Sequence, residues 1–206
     1  MVGSNSNDGG RKLFVRIVAG KYRRRKLLAN PGCTTRPVTD RVKEILFERL
    51  QHDIDGKRIA DVFAGTGTLG LEALSRGARS VVFIENDRRA FELLQKNVAS
   101  LGVADDVLCW RADVLRTSFH PKGVDELLPF DTVFFDPPYR MVADLHPGGL
   151  LYKSLERLAR DGITAAGALL MLRTPPEAEF ALPACWLKER QYDISSMEVH
   201  LFVKHL

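Results

Sequence analysis

The residues Asp136-Pro137-Pro138-Tyr139 combine side chains that could hold an exocyclic amino group of a nucleobase. Two consecutive prolines fix two φ angles and remove two backbone donors, while their carbonyl oxygens stay available as acceptors. The Asp136 carboxylate and the Pro137 carbonyl could each accept one N–H, and the Tyr139 ring could stack on the base. The alternative is a proline-rich turn without chemistry, since such turns commonly follow strands.

A glycine-rich turn predicts a site for an adenosine-containing cofactor. The apolar run 59–62 leads into a G-x-G-x-x-G pattern that starts at Gly65, and a helix is expected to follow it. Glycines let the backbone approach a ligand closely at the N-terminus of that helix. A second apolar run, 80–84, ends at Glu85, where a carboxylate could accept hydrogen bonds from ribose hydroxyls.

The positions of three acidic residues favour S-adenosylmethionine over NAD as the cofactor. Asp61 lies four residues before Gly65, where it would repel a pyrophosphate but attract the amino group of a methionine moiety. Asp113 follows the apolar run 107–110 and could accept from the adenine 6-amino group, and Asp136 ends a further run. All would share the carboxyl edge of a parallel sheet. The predicted cofactor residues are Asp61, Phe63, Ala64, Gly65, Gly67, Glu85, Asn86, Ala112 and Asp113.

Positive charge is concentrated near the start of the chain. The formal net charge is +4, yet nine cations and no acidic residue lie between Asp8 and Asp40. Apolar residues alternate with these cations, which predicts a hairpin that turns near Gly20. A basic hairpin beside a site that handles bases favours RNA binding over a solvated tail. The residues predicted to contact RNA are Arg16, Lys21, Arg23, Arg24, Arg25, Lys26 and Arg36.

Apolar runs alternate with helical periodicities after residue 39, which is typical of an α/β fold. Thr39 or Asp40 is expected to cap a first helix, and Asp87 a later one. The run 167–172 is apolar throughout, as a strand covered on both faces would be. Further helices are expected over 87–100 and 149–160, and a closing antiparallel pair over 186–194 and 198–203.

Length and composition exclude several other classes of protein. The chain has 206 residues, of which 45% are hydrophobic and 27% are charged, and this suits one soluble globular domain. No apolar run approaches the roughly 18 residues that a membrane span needs, and the N-terminus has no apolar signal region. Cys33, Cys109 and Cys185 lack metal-binding spacing. We therefore expect a cytoplasmic protein with reduced thiols and no metal.

Three segments together resemble the RsmD-type 16S ribosomal RNA guanine-N2 methyltransferases of bacteria. Residues 36–47 resemble the family's segment before the first core strand, residues 63–78 its cofactor loop and first helix, and residues 136–139 its catalytic corner. The resemblance runs from about Arg16 to about Leu172, and the later stretch matches poorly. It implies a Rossmann-like class I methyltransferase with a seven-stranded, mostly parallel sheet, an antiparallel C-terminal edge and a basic N-terminal β-hairpin.

The resemblance also implies a reaction. S-adenosylmethionine would methylate the N2 amine of a guanine in ribosomal RNA, within the small subunit or its assembly intermediate, and S-adenosylhomocysteine would be the product. We expect a monomer, with Asp136, Pro137, Pro138 and Tyr139 as catalytic residues. An adenine-N6 methyltransferase acting on DNA or RNA, and an NAD-dependent oxidoreductase, are the alternatives. The expected parts are a disordered tail (1–12), a basic hairpin (13–38) and a methyltransferase domain (39–206).

Overall fold

The computed structural model describes residues 13–30 and 39–205. The predicted tail 1–12 and Arg36 therefore lie outside the described residues, and the division into three parts stays a prediction. The strands are β1 (Leu13–Arg16), β2 (Lys26–Ala29), β3 (Arg58–Val62), β4 (Ser80–Glu85), β5 (Val107–Arg111), β6 (Phe130–Phe135), β7 (Thr164–Thr174), β8 (Trp186–Ile194) and β9 (Met197–Lys204). The α-helices are α1 (Asp40–Arg49), α2 (Thr68–Ser75), α3 (Arg88–Leu101) and α4 (Leu150–Leu158).

Strands β3 to β9 form one seven-stranded sheet in the order β5-β4-β3-β6-β7-β9-β8. The pairs from β5 to β7 are parallel, and β9 runs antiparallel to β7 and to β8. The predicted parallel sheet with an antiparallel edge is thus confirmed. Within the ranges 13–30 and 39–205, no helix has the length and apolar character that crossing a bilayer requires.

Both faces of the sheet are covered, which explains the apolar strands seen in the sequence. Alternating residues of each strand point to opposite faces. In β4, Phe83 packs in a cluster with residues from α1, α2 and α3, whereas Ile84 packs in a second cluster with residues from α4. A strand buried on both sides has no polar face, so its sequence is apolar throughout.

The helices begin at the caps that the sequence predicts. The Thr39 hydroxyl accepts a hydrogen bond from the Val42 N–H at 3.3 Å, and the Asp87 carboxylate accepts one from the Ala90 N–H at 2.7 Å. Each bond satisfies one of the N–H groups that a helix start leaves without a partner. Local signals of this kind fix where α1 and α3 start relative to the sheet.

The hairpin of β1 and β2 docks on α2 through the turn that joins its strands. The Val18 and Ala19 N–H groups donate to the Glu72 carboxylate at 2.8 and 3.1 Å. Gly20 has a φ of +82°, and a Cβ at this position would collide with the Ser75 carbonyl oxygen. The strands are shorter than the alternation predicts, because the long turn is used for this contact.

A buried ion pair joins the hairpin, α1 and α2. The Lys43 and Glu72 side chains are both 0% exposed, and Lys43 Nζ lies 3.7 Å from the Glu72 carboxylate. Lys43 also donates to the Arg16 carbonyl oxygen of the hairpin. Burial lowers the pKa of Lys43, and the Glu72 and Asp40 carboxylates oppose that shift. The ammonium group therefore depends on Glu72 for its charge balance.

We expect Glu72→Gln to lower the free energy of unfolding by about 3 kcal/mol, because it leaves the buried Lys43 without its full counter-charge. The matched control is Glu92→Gln in the exposed Arg88–Glu92 pair of α3, where Arg88 Nε lies 3.0 Å from the Glu92 carboxylate. That substitution should cost about 0.5 kcal/mol or less. Urea unfolding followed by circular dichroism measures both, and equal losses would contradict the role given to the buried pair.

Candidate active site

Acidic side chains and a buried arginine meet at the carboxyl ends of the parallel strands. Asp61 lies in β3 opposite Phe134 of β6, and the Asp136 N–H donates to the Val62 carbonyl at 3.3 Å. The Asp136 corner is therefore joined to the strand that leads into the glycine turn. The sequence places these residues 75 positions apart, and the register of β3 and β6 brings them together.

Arg173 holds the Asp136 carboxylate in a bidentate ion pair. Arg173 Nε donates to Oδ1 at 2.8 Å and Nη2 donates to Oδ2 at 2.6 Å. Arg173 is 5% exposed, so the pair is largely shielded from water and its geometry fixes the plane of the carboxylate. Each carboxylate oxygen keeps a further lone pair for a ligand. Our sequence reasoning missed Arg173, because the strand predicted over 167–172 ended one residue before it.

The proline corner leaves one backbone acceptor available to a ligand. The Pro138 carbonyl accepts from the Met141 N–H at 2.7 Å and starts the 3₁₀ turn Tyr139–Asp144. For the Pro137 carbonyl, no donor is found within hydrogen-bonding distance in the described part of the chain. Tyr139 follows the corner and is partly buried, and burial raises the pKa of its phenol. Base stacking by Tyr139 stays a prediction.

The glycines of the cofactor turn have different roles. Gly65 has a φ of +56°, and a Cβ there would meet no heavy atom within 4 Å, so its backbone faces open space. Gly70 faces the other way, because a Cβ would collide with the Phe83 ring of β4. The Gly70 N–H also donates to the Asp61 carboxylate at 2.9 Å. The turn is open on the side where a ligand would approach and tightly packed behind it.

Glu85 fastens the glycine turn to the end of β4. Its carboxylate accepts from the Gly65 N–H and from the Asp87 N–H, both at 2.7 Å. Burial raises the pKa of Glu85, and these N–H donors oppose the shift. A carboxylate beside an open glycine backbone suits the ribose of an adenosine-type cofactor. The residues present thus fit S-adenosylmethionine, as the sequence predicts.

Asp61 is 1% exposed, which makes it the most deeply buried of the predicted cofactor carboxylates. Burial raises the pKa of Asp61 well above its ordinary value, and the charges of Asp136 and Glu85 raise it further. Asp113 is partly exposed and accepts from the Leu115 N–H at 3.0 Å, so it caps a turn. Contacts of Asp61 with a methionine amino group and of Asp113 with adenine stay predictions.

The remaining predicted cofactor residues line the same edge of the sheet. Phe63 has a φ of +65°, unusual for a residue with a side chain, and its ring packs edge-on against Phe135 with centroids 5.5 Å apart. The Ala64 N–H donates to the Ile84 carbonyl at 3.1 Å. Ala112 and Asn86 lie just beyond the ends of β5 and β4.

The described hairpin cations are all exposed, but they differ in their partners. Arg16 pairs with Asp40 at 2.5 Å, and Arg25 donates to the Ser100 carbonyl oxygen at 2.5 Å. Lys21 lies 5.2 Å from the centroid of the Tyr22 ring. The remaining exposed cations of the described hairpin are Arg23, Arg24 and Lys26.

A single buried amide joins the hairpin to the cofactor turn. Asn97 of α3 is 1% exposed, and its Oδ1 accepts from the Leu28 N–H at 2.7 Å. Its Nδ2 donates to the Leu28 carbonyl at 3.0 Å and to the Thr66 carbonyl at 2.9 Å. The basic hairpin is therefore held at a fixed position beside the glycine turn. No local sequence signal singled out Asn97.

Comparisons with known proteins agree with this geometry. The family model described as Conserved hypothetical protein 95 matches residues 15–203, so the match continues past Leu172, where we expected the resemblance to end. Ribosomal RNA small subunit methyltransferase D of Escherichia coli K12 is 35% identical over 178 residues, which cover 86% of this chain and 83% of that protein. The Haemophilus influenzae protein of the same name is 34% identical over 190 residues, covering 90% and 93%.

Solved structures share the fold over most of the chain. The yhhF protein of Escherichia coli superposes with a TM-score of 0.76 at 34% identity, covering 93% of this chain and 98% of that one. An RNA methyltransferase from Salinibacter ruber in complex with S-adenosyl-L-homocysteine has a TM-score of 0.60 at 18% identity, covering 82% and 94%, and shows the same fold. Fold and sequence together confirm the RsmD-type resemblance, and the chain belongs to the Conserved hypothetical protein 95 family.

Proposed function

We propose that this protein methylates the exocyclic N2 amine of a guanine in 16S ribosomal RNA, with S-adenosylmethionine as the methyl donor. The observation that carries the proposal is the position of the Asp136 corner, which is bonded to the strand that ends in the open glycine turn. The ribosomal RNA substrate is supported by relatives that this chain matches over most of their length. S-adenosylmethionine supplies an already activated methyl group.

The Asp136 corner positions the guanine amine and accepts hydrogen bonds from it. That nitrogen is a poor nucleophile, because its lone pair delocalises into the ring. The Asp136 carboxylate and the Pro137 carbonyl each accept one of its hydrogens, which draws the nitrogen toward tetrahedral geometry and frees the lone pair. As the new N–C bond forms and the C–S bond breaks, the nitrogen becomes acidic and releases a proton to Asp136 or to water. Holding the reacting atoms about 3–3.5 Å apart lowers the barrier by several kcal/mol.

The rest of the site selects and presents the base. A guanine must leave its stack to reach a corner at the end of a strand, so a base in a loop or bulge is the easier substrate. Stacking on Tyr139 stabilises the extruded base by about 1–3 kcal/mol. The hairpin cations bind the RNA backbone nearby, and the protein acts as a monomer on the small ribosomal subunit or its assembly intermediate.

Methyl transfer from labelled S-adenosylmethionine to purified small subunits and to naked 16S RNA tests the proposal. Nuclease digestion and mass spectrometry of the nucleosides should yield N2-methylguanosine. N6-methyladenosine as the product would instead support the adenine-directed alternative. Transfer to neither substrate, with the cofactor bound, would contradict the proposed function.

We expect Asp136→Asn to lower kcat at least about 100-fold, because the variant loses the charged acceptor for the amine. The Kd for S-adenosylhomocysteine should stay within about threefold, since the glycine turn is unchanged. Asp131→Asn is the matched control, because Asp131 lies in β6, the strand that precedes Asp136, and pairs with Arg58 through two side-chain bonds of 3.0 and 3.1 Å. It should leave kcat unchanged. Full turnover by Asp136→Asn would remove Asp136 from the reaction.

A double-mutant cycle tests whether Arg173 and Asp136 act as a unit. Arg173→Met should lower the free energy of unfolding by about 3–5 kcal/mol, because it leaves the Asp136 carboxylate unpaired beside Asp61. The double variant Arg173→Met with Asp136→Asn should recover much of that loss while staying inactive. Urea unfolding of the four proteins gives the coupling energy. Additive losses would show that the pair does not control the charge of the site.

The affinity for S-adenosylhomocysteine should depend on pH through Glu85. Since burial raises the pKa of Glu85 above its ordinary value of 4.5, the carboxylate takes up a proton at a pH where exposed glutamates are still ionised. A protonated Glu85 is a weaker acceptor for ribose hydroxyls, so the affinity for S-adenosylhomocysteine should fall as the pH is lowered toward the raised pKa of Glu85. Isothermal titration between pH 5 and 8 measures this. Glu85→Gln should bind weakly with a flatter profile, and an unchanged profile would exclude Glu85 as the titrating group.

A further inference from the structure

The outer face of the hairpin combines an exposed aromatic ring with cations. Phe14 of β1 pairs with Leu28 of β2, and Arg16 pairs with Lys26. Because side chains alternate along a strand and paired residues share a face, these four residues lie on the same side of the hairpin. The opposite side carries the pair of Val15 and Leu27, which packs against the core of the protein.

Phe14 is unusually exposed for a phenylalanine in a strand. Its exposed fraction is 48%, and Lys26 Nζ lies 5.9 Å from the centroid of its ring. Among the side chains that the structure describes, Lys26 forms no ion pair, so its charge is available to a ligand. An exposed ring beside uncompensated positive charge is the combination by which proteins bind single-stranded nucleic acids, since bases stack on the ring and phosphates bind the cations.

The hairpin keeps this face at a fixed distance from the cofactor turn. The Leu28 backbone, directly across from Phe14, is bonded to Asn97, which also binds Thr66 of the glycine turn. The Glu72 contacts at Val18 and Ala19 fasten the other end of the hairpin. A base stacked on Phe14 would therefore be held in a defined position relative to the methyl donor.

We infer that Phe14 is a stacking residue for an unpaired base of the RNA substrate, with Lys26 binding an adjoining phosphate. This base is distinct from the guanine at the Asp136 corner. The inference rests on the proposed RNA substrate and adds a second point at which the RNA is read. Charge complementarity favours RNA over a ribosomal protein as the partner of this face, because the described hairpin residues include six cations and no acidic residue.

Binding of a fluorescein-labelled single-stranded oligoribonucleotide of about 12 nucleotides, followed by anisotropy between 50 and 200 mM salt, tests this inference. Phe14→Ala should weaken binding about tenfold at every salt concentration, with the slope of log K against log salt unchanged. Lys26→Ala should instead reduce that slope by about one. The matched control is Leu13→Ala, because Leu13 is 43% exposed in the same strand but alternates to the other face. It should bind RNA as the wild type does.

Phe14→Trp adds a direct readout of stacking. This variant should keep the wild-type affinity, and its fluorescence should be quenched by RNA more than that of the wild type, which contains Trp110 and Trp186. Wild-type affinity in Phe14→Ala would overturn the inference. So would a Phe14→Ala loss seen with intact small subunits but with neither the oligonucleotide nor naked 16S RNA, which would point to a protein as the partner.

The same samples separate this inference from the proposed function. Wild-type protein that binds RNA through Phe14 but transfers no methyl group to it would contradict the proposed reaction and leave the stacking role standing. Conversely, wild-type methyl transfer with no effect of Phe14→Ala on either RNA affinity or KM would contradict the stacking role alone. Phe14→Ala should raise the KM for RNA about tenfold and keep the wild-type kcat, which is reached at saturating RNA.

Discussion

The bidentate ion pair between Arg173 and Asp136 is the interaction on which the site depends. It joins the ends of β6 and β7 and places a guanidinium next to the buried Asp61 carboxylate of β3. A buried pair of this kind is weak evidence for stability, because desolvation offsets much of the attraction. Its value here is geometric, since it orients the carboxylate that would face the guanine amine in the proposed reaction and that lies beside other acidic groups.

The sequence allowed the sheet, the helix starts and the cofactor edge to be predicted, because each has a local signal. Thr39 and Asp87 cap their helices through bonds to residues three positions away, and apolar runs mark the buried strands. Arg173, Lys43 and Asn97 could not be found in this way. The partners on which their roles depend here, Asp136, Arg16 and Thr66 respectively, are 37, 27 and 31 positions distant in sequence. Strand register and the packing of the hairpin decide that these residues meet.

The acidic edge of the sheet and the basic hairpin place opposite charges on different parts of the fold. The edge that would hold the cofactor and the guanine amine is lined with carboxylates, which repel the phosphates of an RNA. The hairpin supplies positive charge next to that edge and outside it, fastened through backbone groups of Leu28 and Val18. In the proposed function, acidic chemistry and polyanion binding are thus assigned to different elements of one small protein.

Because Gly20 lies directly against the Ser75 carbonyl oxygen, even the methyl group of an alanine at position 20 would disturb the docking of the hairpin on α2. At position 20, the space that a Cβ would need is occupied by the backbone of Ser75, at the end of α2. A side chain at position 20 would move the basic hairpin away from α2 and leave the seven-stranded sheet intact. The lack of space at this one glycine would therefore decide whether the proposed RNA capture and methyl transfer occur in the same place.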